Sequence, residues 1–202
     1  MQVWKFGGTS VGKPERMKSI RQLITEDGQP KIVVLSALSG STNTLLSISE
    51  SLNAGNTSEA KAKATELRAH YDQFLTELYS TPAGLGKGQA IVEKEFNFID
   101  SLIATAPYTG KQEKEMVALG ELLSTQIFET YLQEEGVSST LLPALDFMVI
   151  DEDNETIMAD IEKKLAVTLA PVKDKQIFVT QGFICRTPAG EVDNLKRGGS
   201  DY

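Results

Sequence analysis

The 202-residue sequence holds one cysteine, one histidine and one tryptophan, and it has no long apolar run. Cys185 on its own cannot form an internal disulfide, which fits a reducing compartment and predicts a cytoplasmic protein. His70 has no cysteine or paired carboxylate patterned around it, so it reads as helix surface rather than as a base or a metal ligand. Without a stretch of about 20 apolar residues, no transmembrane helix is expected. The N-terminus starts a strand, and no extended apolar core follows Lys5 to make a signal peptide. Basic residues are outnumbered 20 to 28, for a net charge of −8, which argues against a nucleic-acid surface. There is no fixed-period repeat and no low-complexity tract. A hydrophobic content of 41% is enough for a core, and the length suits one large domain or a piece of a bigger one.

The stretch that organises the rest is Val3-Trp4-Lys5-Phe6-Gly7-Gly8-Thr9-Ser10-Val11. An apolar start runs into paired glycines and two hydroxyls, and Pro14 then opens a helical pattern, so the stretch reads as strand, tight turn and helix. Glycines without Cβ let the backbone take φ > 0 and let an anion approach the N–H groups closely. Lys5 brings a mobile positive charge to the same place. Phosphate is the natural guest, although the pattern matches neither the dinucleotide fingerprint nor the P-loop. The plainer alternative is an ordinary strand–turn–helix corner with a surface lysine.

Met17, Ile20, Leu23 and Ile24 put an apolar stripe on a helix over about Pro14–Glu26, which Asp27-Gly28 ends. Lys31–Ser36 is a continuous apolar run and predicts a strand buried on both faces of a parallel sheet. The strand–helix–strand order makes one right-handed βαβ unit. Next comes Ser36-Ala37-Leu38-Ser39-Gly40-Ser41-Thr42-Asn43, a hydroxyl-rich loop at a strand's carboxyl end, where open parallel sheets bind ligands. Its plainer reading is helix capping by Ser41 or Thr42. Helical periodicity then covers Thr42–Leu52, Ser58–Tyr79 and Gln89–Ala104, with joints at Asn53–Thr57 and Thr81–Gly88. The last two helices are expected to form an antiparallel hairpin on the rim of the sheet.

The longest helix is predicted at Lys111–Glu134. Gly120 in its interior costs about 1 kcal/mol relative to alanine, so something must approach the backbone there. Glu121 beside it is flanked by apolar and small residues. If it is buried, it needs a protein cation or a substrate amine as partner; otherwise it is a solvated glutamate. A strand at Ser138–Leu142, a polar loop at Asp151–Asn154, a helix at Glu155–Leu169, a strand at Gln176–Thr180 and a hairpin around Pro188–Gly190 follow. The chain stops at Arg197-Gly198-Gly199-Ser200-Asp201-Tyr202, a second glycine loop in which Ser200 or Asp201 could cap a helix, and this ending suggests a fragment.

Five segments now stand in one order along the chain: Lys5–Val11, the Leu35–Asn43 loop, Gly120-Glu121-Leu122-Leu123-Ser124-Thr125, Thr180-Gln181-Gly182-Phe183 and Arg197–Tyr202. Together they closely resemble the aspartate kinases (aspartokinases) of the amino-acid kinase family. The resemblance implies an α/β fold, a three-layer α/β/α sandwich with a mostly parallel sheet as in carbamate kinase, here incomplete at the C-terminus. It implies that residues 1–202 are the amino-acid- and phosphoryl-binding part, with a helical excursion over about residues 43–110. Most of the nucleotide site and two ACT-type regulatory domains would lie in sequence beyond it.

The reaction implied is MgATP plus L-aspartate giving 4-phospho-L-aspartate and ADP, the first step toward lysine, threonine, methionine and isoleucine. ATP and Mg²⁺ are the implied cofactors, and no residue is expected to ligate a metal directly. By matching motifs, Lys5 would neutralise the transferring phosphoryl group, and Gly7, Gly8, Thr9, Gly198 and Gly199 would bind phosphate. Arg197 would hold the substrate α-carboxylate and Glu121 its α-ammonium. Ser36, Thr42 and Ser200 would bond the substrate, and Asp201 would orient Lys5. Leu38 and Ser41 are local departures in the hydroxyl loop, while Ser36, Gly40, Thr42 and Asn43 remain. The alternatives are another amino-acid kinase acting on glutamate, acetylglutamate or uridylate, the kinase part of a bifunctional aspartokinase–homoserine dehydrogenase, and a non-catalytic binding module. The parent is expected to be a homo-oligomer. The truncated sheet would leave an edge that allows a dimer.

Overall fold

The structure is a computed structural model that describes residues 1–195; Arg197, Gly198, Gly199, Ser200 and Asp201 lie outside the described residues. The expected parallel sheet is present. Strands β1 (Gln2–Phe6), β2 (Lys31–Leu35), β3 (Ser139–Leu141) and β4 (Ile177–Gln181) run parallel in the order β1-β2-β4-β3. Register pairs Phe6 with Leu35, Leu35 with Gln181, and Leu141 with Val179. All four carboxyl ends therefore lie along one edge of the sheet. Helices α1 (Gly8–Val11) and α2 (Pro14–Thr25) follow β1, and α3 (Ser41–Asn53), α4 (Thr57–Leu78), α5 (Pro82–Ala104) and α6 (Gly110–Glu134) follow β2. Between β3 and β4 come α7 (Ala144–Phe147), α8 (Met158–Leu169) and a short 3₁₀ turn, and a hairpin of β5 (Ile184–Arg186) and β6 (Val192–Asn194) closes the described chain.

Three layers follow from side-chain alternation along the strands. Val33, Leu35, Ile177 and Val179 join the large core with α2–α6, while Ile32 and Phe178 face α7 and α8 on the other side. That second face is only partly covered. Ile32 and Val34 are half-buried, not buried as the apolar run suggested, because they line an open cleft of about 480 Å³ that also contains Val3, Lys5, Thr180, Met158 and Ile161. Leu23 likewise leaves its expected stripe and is exposed.

The helical excursion is longer than periodicity indicated. Helix α5 starts at Pro82, so the expected joint Thr81–Gly88 is mostly helix. The Thr81 hydroxyl caps it by accepting the Gly84 N–H at 3.0 Å, and Pro82 suits the first turn. Gly84 and Gly88 make room for their neighbours, since a Cβ there would meet the Glu134 carboxylate at 2.3 Å and the Tyr79 ring at 2.5 Å. Helices α4 and α5 pack on each other, on α2 and α3, and on α6, instead of resting on the sheet rim. Helix α8 begins at Met158 rather than Glu155, since Thr156 pairs in a β-bridge with Ile150. Cys185 is buried and free, and burial pushes its thiol up to about 12. Among the described residues no helix is long and apolar enough to cross a membrane.

Candidate active site

The carboxyl edge of the sheet collects the segments that the sequence singled out. Lys5 sits next to the end of β1, exposed, with Gly7 and Gly8 leading into the four-residue α1. Gly7 is extended, at φ −74°, so the left-handed freedom anticipated for it is not used. What its missing side chain leaves is space, because a Cβ at Gly7 would meet nothing within 4 Å. Gly8 is different: a Cβ there would lie 3.0 Å from the Ala37 carbonyl, so the glycine turn is pressed against the hydroxyl loop. Gly12 does the same against Ser39. Thr9 is exposed on α1 and its carbonyl accepts from the Arg16 guanidinium. The first N–H groups of such a turn have no partner within the helix and point outward.

The hydroxyl loop leaves β2 at Ser36, whose N–H donates to the Phe6 carbonyl at 3.2 Å and joins the two strand ends. Its carbonyl accepts from Ser124 of α6 at 2.8 Å. Neither Ser41 nor Thr42 caps α3. The N-cap is Gly40, in a left-handed turn at φ 87° that a side chain would strain. Ser41 is buried in the first turn, and its hydroxyl accepts from Tyr71 at 3.1 Å. Thr42 remains half-buried at the edge, beside α6.

Helix α6 is driven into this edge at Gly120. A Cβ there would lie 2.9 Å from the Ala37 Cβ, 3.3 Å from Leu45 Cδ1 and 3.7 Å from Thr42 Oγ1. That close approach explains a glycine in the helix interior, as its cost had implied. It also carries Glu121 inside, where the residue is 5% exposed. The carboxylate Oε2 accepts the Gly182 N–H at 2.9 Å and the Phe183 N–H at 2.8 Å, from the turn that leaves β4. Burial pushes the Glu121 carboxyl up to about 7, and the two N–H donors and the Lys5 charge pull the other way. The site thus holds a half-compensated anion, with Lys5 close enough to act on it.

Lys5, Gly7, Gly8, Thr9, Ser36, Thr42 and Glu121 are therefore brought to one edge, while the five candidates of the final glycine loop lie outside the described residues. His70 is exposed on α4, in keeping with a surface role. Gly182, Phe183 and Gln181 had been part of a quoted motif without assigned roles. Their signal was a polar amide and a glycine closing an otherwise buried strand. Among the described residues no group of three or more His, Cys, Asp or Glu side chains could hold a metal ion. Such an edge, with backbone N–H groups, one lysine and one buried carboxylate, can bind a phosphate and an amine side by side.

A sequence profile of the amino acid kinase family matches residues 1–202. The chain is 30% identical over 204 residues to lysine-sensitive aspartokinase 3 of Escherichia coli K12, covering 99% of this chain and 44% of that protein. It is 30% identical over 210 residues to chloroplastic aspartokinase 1 of Arabidopsis thaliana, covering 98% of this chain and 36% of the relative. The crystal structure of E. coli aspartokinase III in complex with aspartate and ADP superposes on the whole chain with a TM-score of 0.81 and 28% identity, and the chain spans 45% of it. The chain thus spans less than half the length of these relatives.

Proposed function

The chain belongs to the amino acid kinase family, and from that premise we propose that it is the amino-acid- and phosphoryl-binding part of an aspartate kinase. The reaction is transfer of the γ-phosphoryl group of ATP to the side-chain carboxylate of L-aspartate, as the first committed chemistry of lysine and threonine synthesis. The observation that carries the reading is the buried Glu121 carboxylate, held by Gly182 and Phe183 beside the glycine turn and Lys5. A carboxylate in that position pairs with an α-ammonium group, whose charge repays the cost of ionising the carboxylate in a buried site.

The chemistry suits an edge without a base. The nucleophile is itself a carboxylate, with an ordinary pKa near 3.9, and is ionised at neutral pH. One of its oxygens attacks the γ-phosphorus while the bond to the bridging oxygen of ADP breaks, and no proton has to move. The barrier is the approach of two anions. Lys5 and the N–H groups after Gly7 lower it by neutralising the phosphoryl oxygens, and Glu121, Ser36 and Thr42 lower it by holding the amino acid in line. Arg197, Gly198, Gly199, Ser200 and Asp201 complete this arrangement in our reading, as α-carboxylate anchor, phosphate donors and orienting groups. The described residues offer no carboxylate cage for Mg²⁺. Mg²⁺, when bound with the nucleotide, would supply further charge neutralisation at the phosphates, beside that of Lys5 and the N–H groups after Gly7. Because the relatives are more than twice as long, most of the nucleotide site is assigned to sequence they carry beyond this stretch, and the 202 residues alone are expected to turn over negligibly.

Calorimetric titration with L-aspartate tests the assignment. The chain is expected to bind aspartate in preference to glutamate, and Glu121→Ala is expected to weaken binding about 100-fold, the size of a lost buried charge-assisted contact. Tighter binding of glutamate, or aspartate binding indifferent to Glu121→Ala, would overturn it.

A further inference from the structure

Oε2 of Glu121 depends on two peptide N–H groups that belong to a different element, the turn leaving β4. Something must hold that turn in register with α6. Gln181, the last residue of β4, is 3% exposed and spans three elements. Its Oε1 accepts the Ala144 N–H of α7 at 2.8 Å, and its Nε2 donates to Thr125 Oγ1 of α6 at 2.6 Å. Thr125 Oγ1 donates in turn to the Glu121 carbonyl at 2.7 Å. The chemistry fixes every direction in this relay. A peptide N–H can only donate, so the amide atom facing Ala144 is oxygen. The single Thr125 proton goes to the carbonyl, so its oxygen accepts from the Gln181 NH₂.

A leucine or methionine would fill this site without the cost of burying an amide. The amide is therefore doing something that packing alone does not need. We propose that Gln181 is a positioning residue of the amino-acid site: through Thr125 it sets the register of α6 against the end of β4, and so aims the Gly182 and Phe183 N–H groups at Glu121. This rests on Glu121 being the partner of the substrate ammonium. Glu121 is pinned at both ends by neighbouring residues of one strand end, its carbonyl through Thr125 and Gln181, and its carboxylate through Gly182 and Phe183.

The consequence can be read on the Glu121 carboxyl. Its two N–H donors favour the ionised form, burial opposes it, and Lys5 of β1 is the charged group acting on it among the described residues. On the elements packed against α6, Glu95 of α5 is held by Lys94 and Gln126, and Asp193 of β6 by Lys114. If the relay is cut, the turn slackens, the N–H donors are lost, and Glu121 keeps its proton to higher pH.

The test is an NMR titration of the Glu121 side-chain carboxyl carbon in the full 202-residue chain, made on Gln181→Met, Thr125→Val and Thr125→Ser. The unaltered chain should titrate at about 7. Gln181→Met and Thr125→Val should move the midpoint up by about 1 pH unit, as the loss of two N–H donors to a carboxylate implies, and Thr125→Ser, which keeps the hydroxyl, should restore it. Aspartate affinity at pH 7 should fall about fivefold in the first two variants, because that shift cuts the ionised fraction of the carboxyl from about one half to about one tenth. An unmoved midpoint in folded Thr125→Val or Gln181→Met, with only a lower melting temperature, would overturn the proposal and leave Gln181 a packing residue. Should Gln181→Met fail to fold, Thr125→Val decides the matter alone. A shifted midpoint in a chain that binds no aspartate would support the positioning role while overturning the substrate assignment.

Discussion

Two glutamates on adjacent helices are equally buried, at 5% exposure, and they have opposite surroundings. Glu95 of α5 accepts from Lys94 Nζ of the same helix at 2.9 Å and from Gln126 Nε2 of α6 at 3.0 Å, so its charge is answered by a neighbouring cation and by an amide that ties α5 to α6. Glu121 of α6 is answered by two backbone N–H groups and, at longer range, by Lys5, and burial still pushes it up to about 7. The first is a structural carboxylate with its cation in place. The second keeps an unsettled charge at the carboxyl edge of the sheet. A buried carboxylate announces function by what it still lacks, and the glycines repeat the contrast. Gly84 and Gly88 of α5 make room for Glu134 and Tyr79, side chains away from the hydroxyl loop, whereas Gly120 of α6 makes room for the hydroxyl loop itself.

The most severe way to break the contrast is Gly120→Val. Its branched side chain would collide with Ala37 and Leu45, force α6 off the edge and cost about 3 kcal/mol in urea unfolding, with aspartate binding lost. A variant that unfolds like the parent and still binds would show that the close approach is not needed.

Neutralising each glutamate sharpens the comparison. A carboxyl raised from 4.5 to about 7 by folding is held protonated more tightly in the folded state. Its contribution is fully present below about 4.5 and is lost as pH rises toward 7 and above, by about 3 kcal/mol in all. Glu121→Gln removes this loss, so unfolding free energy at pH 8 should exceed that of the parent by about that amount, while aspartate binding collapses. Glu95→Gln should leave binding intact and cost about 1 kcal/mol, because a charged hydrogen-bonded pair is weakened. Equal pH profiles for Glu121→Gln and the parent would remove the distinction between the two sites.

The mildest test lies in α5. A Cβ at Gly86 meets nothing within 4 Å, so Gly86→Ala should stabilise the chain by about 1 kcal/mol in the same assay and leave aspartate binding unchanged.

Much of this was legible beforehand. The apolar run at Lys31–Leu35 and the helical stripes gave the parallel sheet and its helices, and loss of helix propensity at Gly120 pointed to the close approach that exists there. Three things were not legible. The start of α5 was hidden because Gly84, Gly86 and Gly88 look like a loop until Tyr79 and Glu134 are known to need the space. The capping of α3 went to Gly40, since Ser41 was claimed by Tyr71 from 30 residues away. Nothing local marks how the charge of Lys31 is accommodated: it is fully buried, paired with Asp27 and seated 5.1 Å from the Trp4 ring.

The sequence by itself determined which groups could take part: short-range patterns of glycine, hydroxyl and apolar residues depend on local backbone preference and on periodicity. Only the tertiary structure decided that Glu121 is inside, that the Gly182 and Phe183 N–H groups point at it, and that the Gln181 amide bridges Ala144 and Thr125. Those facts depend on contacts between residues about 60 apart in sequence, such as Glu121 with Phe183, and burial and hydrogen-bond direction are properties of the packed chain, not of any segment of it.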